Sequence, residues 1–333
     1  MKQLIIAMTA VLLCVSAGWT QDIMVQGDWE GQFFTDAWKS KSLSAQIVGE
    51  SNDSYRIELQ IDGQEFITYA HDQKKVTTAS EVVNLGKKLG GEYIFSGFIH
   101  KRKFVGSFKN QVSEISFEMD RVMHKSPTLG LKPPVGATVL LGDKDMPQGE
   151  RQELFLEKWH VPYHWVADKD GSIHRSGGSI HTKEEFGSAQ IHVEFKCPYM
   201  PNDRGQGRGN SGVYVMGRYE VQVLDSFADE PKDNLCGGIY KFGVPEQYAS
   251  YPPGTWQTYD ITIHAPEFDR NGKKVKHAMI TVKHNGKLIH DNLELSKPTP
   301  GGISGKDAPK GPLWLQDHSD PVRYKNVWIK PLD

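Results

Sequence analysis

The stretch Arg208-Gly-Asn-Ser-Gly-Val-Tyr-Val-Met-Gly-Arg-Tyr-Glu-Val-Gln-Val-Leu-Asp-Ser226 carries the pattern on which the fold turns. Two runs of strand-forming residues meet through Gly217-Arg218, which reads as an antiparallel hairpin. Successive side chains on a strand point to opposite faces, so Glu220 and Gln222 share one face while Val221 and Val223 share the other. Plain alternation puts Asp225 with the valines, whereas a one-residue bulge near Leu224 returns it to the Glu220 face as Glu-x-Gln-x-x-Asp. Such a polar face is either a solvated sheet surface or a site.

Neighbouring segments repeat the pattern. Gln190-Ile-His-Val-Glu-Phe-Lys196 sets His192 and Glu194 opposite Ile191, Val193 and Phe195. Leu313-Trp-Leu-Gln-Asp-His318 sets Trp314, Gln316 and, if the strand persists, His318 on a polar face, where an aromatic platform beside hydrogen-bonding groups suits a sugar ring. Further strands are expected over 219–224, 258–264, 278–284, 312–316 and 322–329, with one short helix around 149–158. Asp170-Gly171, Asn271-Gly272 and Asn285-Gly286 supply turn chemistry between them. About 200 residues of short strands with almost no helix predict a two-sheet sandwich.

Upstream, Tyr55-Arg-Ile-Glu-Leu-Gln-Ile61 alternates and runs through Asp62-Gly63 into Glu65-Phe-Ile-Thr-Tyr69, a hairpin with a tight primed turn. With strands over 92–99, 103–108 and 114–119 this region reads as an antiparallel meander closing into a small barrel or sandwich. Between the two regions, 125–137 carries Pro127, Pro133, Pro134, Gly130 and Gly136, which suits a connector. The expected organisation is therefore a leader over 1–20, a β domain over 21–124, a linker over 125–137 and a sandwich over 138–333.

The leader rests on Lys2, the apolar run Leu4 to Val15 and the small residues Ser16, Ala17 and Gly18, the pattern of a secretory signal peptide. The run is too short to span a bilayer, so the expected location is secreted or periplasmic with no membrane span. Removing the leader leaves Cys197 and Cys236, either a disulfide or two buried thiols. Thirty-nine Lys and Arg against 41 Asp and Glu give a net charge of −2, which offers no global field for nucleic acid and points to an uncharged partner.

Six ordered motifs carry a resemblance: Thr182-Lys-Glu-Glu-Phe-Gly187, Gly209-Asn-Ser-Gly-Val-Tyr214, Tyr219-Glu-Val-Gln-Val-Leu-Asp225, Gly254-Thr-Trp-Gln-Thr-Tyr259, His284-Asn-Gly286 and Gly311-Pro-Leu-Trp-Leu-Gln-Asp-His318. With Val322-Arg-Tyr-Lys-Asn-Val-Trp-Ile329 after them, they resemble the 3-keto-disaccharide hydrolase family from about Gly136 to Asp333. The resemblance implies an all-β fold with a C-terminal concanavalin-like jelly roll, and leaves the N-terminal domain unassigned. It further implies substrates already oxidised to a ketone at C3, an oxidation that an upstream sugar 3-oxidoreductase would perform. Such a ketone acidifies the C2 proton, so a base, an enolate stabiliser and departure of the C1 oxygen, followed by hydration, cleave the glycoside.

Matched by position, the resemblance implies a site of Glu220, Gln222, Asp225, Gln316, Asp317 and His318, with Asn210 and Tyr214 nearby. Glu220 or His318 is the expected base, because each titrates near working pH when desolvated or paired. Lys241 and Arg218 are candidates to stabilise the enolate, and Asp317 would orient His318 only if alternation fails there. The residues require no cofactor and leave room for a divalent metal, although His160 and His164 are separated by Pro162 and no HExxH or CxxC pattern occurs. Two other readings share these residues: a non-catalytic lectin-like module, and a conventional glycoside hydrolase with Glu220 and Asp225 as paired carboxylates.

Overall fold

The computed structural model describes residues 25–332 apart from 73–75, 79, 86–89, 101, 162–164, 169 and 175–176. The leader segment and His164 lie outside the described residues. The chain divides into two compact units, one ending at Met123 and the other beginning at His124.

The described strands of the first unit are β1 (Gly27–Phe33), β2 (Leu43–Ser51), β3 (Ser54–Ile61), β4 (Gln64–Asp72), β5 (Val76–Thr78), β6 (Glu81–Asn84), β7 (Glu92–His100), β8 (Lys103–Lys109) and β9 (Glu114–Arg121). They pair in the order β5-β4-β3-β2-β1-β9-β8-β7-β6, and a further pairing of β5 with β7 closes eight of them into an antiparallel barrel. Closure removes the free edges that a sheet would otherwise expose. The β3–β4 turn is the expected primed one, with Asp62 at φ 51° and Gly63 at φ 79°. Inward-facing aromatics fill the interior: Trp29, Phe33, Phe95, Phe104, Phe108 and Phe117 are all buried, and Phe95 stacks on Phe117 at 6.0 Å.

The second unit adds β10 (Thr138–Leu141), helix α1 (Gln148–Lys158), β11 (Trp159–His160), β12 (Val166–Ala167), β13 (Ile173–His174), β14 (Ile180–Thr182), β15 (Ala189–Lys196), β16 (Ser211–Val215) and β17 (Tyr219–Val223). It continues through β18 (Gln257–His264), β19 (Glu267–Phe268), β20 (Lys274–Lys276), β21 (Ala278–His284), β22 (Lys287–Leu295), β23 (Trp314–Leu315) and β24 (Arg323–Pro331). The larger sheet runs β12-β13-β24-β15-β18-β21-β22 with β10 on β24, and the smaller runs β11-β14-β23-β16-β17. Ile191, Val193 and Phe195 from the larger sheet and Val213, Val221, Val223 and Leu315 from the smaller belong to one core. This is the two-sheet sandwich expected from the strand spacing and the jelly-roll resemblance.

The Pro/Gly stretch after Met123 lies along β15, β18 and β24 of its own unit. Ser126 Oγ is 2.6 Å from Thr258 Oγ1, the Gly130 amide donates to Glu194 Oε1, and the Leu131 carbonyl accepts from Asn326 and Trp328. Cys197 and Cys236 are buried free thiols.

Candidate active site

The β16–β17 hairpin turns on Met216 and Gly217, at φ 55° and 63°, one residue earlier than Gly217-Arg218. Its register sets Tyr214 opposite Glu220 and Gly212 opposite Gln222, while β23 sets Trp314 beside Tyr214. Paired residues on adjacent strands share a face, so Tyr214, Glu220, Gln222 and Trp314 all project from the side opposite the valine core. This face is not a solvated surface: Glu220 is 2% exposed and Gln222 1%.

Two loops account for that burial. The Gln222 amide donates to the Gly238 carbonyl and the Tyr240 amide to the Glu220 carbonyl, which seals the outer edge of β17. On the other side the Glu220 amide donates to Thr299 Oγ1, which itself donates to the Arg218 carbonyl. Between these loops a concavity of about 250 Å³ is lined by Gln206, Asn210, Tyr214, Glu220, Gln222, Tyr240, Lys241, Pro300, Gly301, Gln316 and His318.

Within it the Tyr214 hydroxyl donates to Glu220 Oε2 at 2.8 Å, and Gln316 Nε2 approaches the same hydroxyl at 3.5 Å. Burial pushes the Glu220 carboxyl up to about 7, with the Tyr214 hydrogen bond acting the other way. Burial and the facing carboxylate push the Tyr214 phenol up, which keeps it a proton donor. Gln222 Nε2 donates to Asn210 Oδ1, and Asn210 Nδ2 donates to the Gln206 carbonyl, a row of amides along the floor. Gly212 makes room for the acid: a Cβ there would stand 2.4 Å from Glu220 Oε1. Lys241 sits at φ 60°, an uncommon backbone region for a side-chain-bearing residue that is found disproportionately at functional sites. His318 is exposed at the rim.

Seven residues expected at the site thus converge on one concavity: Asn210, Tyr214, Glu220, Gln222, Lys241, Gln316 and His318. Trp314 stands beside them, its ring 4.8 Å from that of Tyr214. Other expectations are corrected. Strand β17 ends at Val223 with no bulge, and Asp225 is buried against Arg208, Oδ2 to Nε 2.8 Å, away from the concavity. Arg218 holds the 306–310 loop through the Lys306 carbonyl. Asp317 accepts from the Gly178 and Ser319 amides, fastening the chain before β14 instead of orienting His318.

His192 and Glu194 alternate as expected but belong to the other sheet. There His192 Nδ1 lies 2.6 Å from Asp260 and Nε2 3.5 Å from Glu194, under the 126–131 stretch. Gln206, Tyr240, Pro300 and Gly301 escaped the sequence reading because loops bring them in, although Tyr240 adjoins Lys241 and Gly301 sits in a Pro-Gly-Gly run. Among the described residues no group of three or more His, Cys, Asp or Glu side chains is arranged to hold a metal ion.

A family model described as the 3-keto-alpha-glucoside-1,2-lyase-like domain matches residues 150–330. The chain belongs to this family. A crystal structure of a candidate glycosyl hydrolase from Parabacteroides distasonis is 33% identical, with 60% of this chain and 85% of that chain covered and a TM-score of 0.51. A second candidate glycosyl hydrolase from the same organism is 22% identical over 58% of this chain and 100% of that one, with a TM-score of 0.41. A search of curated proteins returned no match. Family membership gives the sandwich a carbohydrate-active role, and the matched region includes every residue that lines the concavity.

Proposed function

We propose that the sandwich cleaves the glycosidic bond of 3-keto-glycosides by elimination across C1 and C2 followed by hydration. The observation that carries this reading is the single buried carboxyl of Glu220, poised at about 7 in a polar concavity from which the other expected carboxylate, Asp225, is absent. A two-carboxylate glycosidase needs an acid and a second carboxylate across the scissile bond. Abstraction of a proton next to a ketone needs one base matched to working pH and a donor for the enolate oxygen.

In this mechanism the Glu220 carboxylate takes the C2 proton. The C2–H electrons form the enolate, with its charge on the C3 oxygen near the Lys241 ammonium. The enolate then expels the C1 oxygen, which leaves as an alcohol after taking a proton from His318 or water. The product is an unsaturated 1,2-ene keto sugar, and water adds at C1 to give the free 3-keto sugar. Asn210, Gln222 and Gln316 supply amide donors and acceptors for the ring hydroxyls, and Tyr214 fixes the orientation of the base.

The family and the buried base favour an enzyme over a lectin-like module. We further infer a secreted or periplasmic location, from the leader pattern, and a sugar 3-oxidoreductase acting upstream to make the ketone. Among the described residues no helix is long and apolar enough to cross a membrane. The test is incubation of purified protein with a 3-keto-glucoside and with its unoxidised parent. Release of the aglycone from the keto substrate alone is expected; release from neither, with divalent metals varied, would remove the proposal.

A further inference from the structure

The outer wall of the N-terminal barrel carries a concavity of about 540 Å³, larger than the one at Glu220. Its floor is a transverse row of three serines from adjacent strands: Ser96 on β7 pairs with Ser107 on β8, and Ser107 with Ser116 on β9. Each adjoins a buried inward-facing ring, Phe95, Phe108 or Phe117, so all three hydroxyls point outward. None of them makes a hydrogen bond among the described residues. Gly97 and Gly106, paired beside the row, let β7 and β8 settle onto the barrel core: a Cβ would stand 2.7 Å from the Phe104 ring at Gly97 and 2.6 Å from the Phe117 ring at Gly106. Small side chains outside and none inside make the wall a trough. Two open phenyl rings line it, Phe98 on β7 at 42% exposed and Phe34 just after β1 at 51%. The Phe34 amide donates to the Ser116 carbonyl, which puts Phe34 at the β9 end of the row. From β7 across β8 and β9 to β1 is three interstrand steps of roughly 4.8 Å, or about 14 Å, room for a short run of sugar rings.

The lining selects a class of ligand. Of its described residues only Glu114 is charged, and Lys109 stands 3.7 Å from that carboxylate, so an ionic ligand meets no spare counter-charge. An acyl chain would cover three unpaired hydroxyls and strip them of water with nothing in exchange. A neutral polyhydroxylated ligand instead trades hydrogen bonds with the serines and lays its C–H faces on the phenyl rings. We propose that this trough is a second carbohydrate site, in which a neutral oligosaccharide lies across the serine row between Phe98 and Phe34. It is independent of the chemistry assigned to Glu220 and gives the N-terminal barrel a role of its own, holding a glycan.

The test is calorimetric titration of the full chain with cellotetraose, xylotetraose, laminaritetraose and maltotetraose, and with decanoate as the acyl control. At least one tetrasaccharide should bind with a Kd of about 1 mM or tighter. Phe98→Ala should weaken that binding about 10-fold, and Ser107→Val, which keeps a strand-forming residue but fills the floor with methyls, should weaken it similarly. Phe34→Ala stands in for either variant that thermal denaturation shows to be misfolded. Gln222→Ala, in the other concavity, should leave the affinity within about twofold, which separates the two sites. Binding with this pattern upholds the site even if no keto-glucoside is cleaved. Binding of none of the four sugars, binding that Gln222→Ala removes and the trough variants spare, or a trough that holds decanoate in place of sugar overturns it.

Discussion

The Tyr214 hydroxyl donates a 2.8 Å hydrogen bond to Glu220 Oε2 directly across the β16–β17 pair, so the proton donor and the buried acid are locked together by strand register. Rotation of either side chain would break a bond between two buried groups, which makes the pair a pre-organised unit. The hydrogen bond favours the carboxylate, while burial favours the acid and is the larger effect.

Tyr214→Phe removes the donor and leaves the ring. The carboxyl then titrates higher, so the acid limb of kcat/KM, expected near pH 7 in the parent, should move up by about one pH unit. A pH profile of the variant checks this; an unmoved limb would detach Glu220 from the rate.

Glu220 also leaves a signature in stability. Its ordinary value is 4.5 and its folded value about 7. Between those pH values the unfolded chain has released a proton that the folded chain still binds, so stability falls as pH rises and the loss levels off above 7. The full span is at most about 3 kcal/mol. Glu220→Gln lacks this term, so its melting temperature relative to the parent should be higher at pH 8 than at pH 4.5, read by thermal denaturation at both.

Gly212→Ala places a methyl 2.4 Å from Glu220 Oε1 and 3.1 Å from the Tyr214 ring. The carboxylate must swing away from its hydrogen bond. Activity should drop by about 10²-fold, with a kcat loss larger than any KM change, because a small displacement of the base is felt most in the transition state.

Arg208 and Asp225 form a buried ion pair outside the concavity. Arg208→Met strands the carboxylate and should cost about 3–5 kcal/mol, whereas Arg208→Met with Asp225→Leu should recover much of that loss. Denaturant titration of both variants tests it. A double variant no more stable than the single one would show that the charges are not coupled.

Much of the molecule was legible in local chemistry. Asp62-Gly63 and Asn285-Gly286 announce their hairpins because both residues of such a turn need positive φ, and all four have it. Period-two alternation puts Glu220 and Gln222 on one face of their strand and Trp314 and Gln316 on one face of theirs, and the family resemblance implied that the two strands share a site. Alternation cannot say to which sheet a strand belongs, however, and His192 and Glu194 have the same polar spacing on a strand of the opposite layer. Asp225 was misplaced because its partner is Arg208, seventeen residues earlier in the chain, a pairing that strand alternation cannot register. The pairing of β5 with β7 and the loops that bring Tyr240 and Gly301 over the site are tertiary events with no local pattern.

Proton abstraction at C2 is tested most directly by a 3-keto-glucoside deuterated at C2. Elimination with Glu220 as base should wash the deuterium into solvent during cleavage, slow the reaction where abstraction limits it, and allow the 1,2-ene intermediate to be trapped; Glu220→Gln should suppress washout and cleavage together. Complete cleavage with all deuterium retained in the sugar and no trappable 1,2-ene would contradict it.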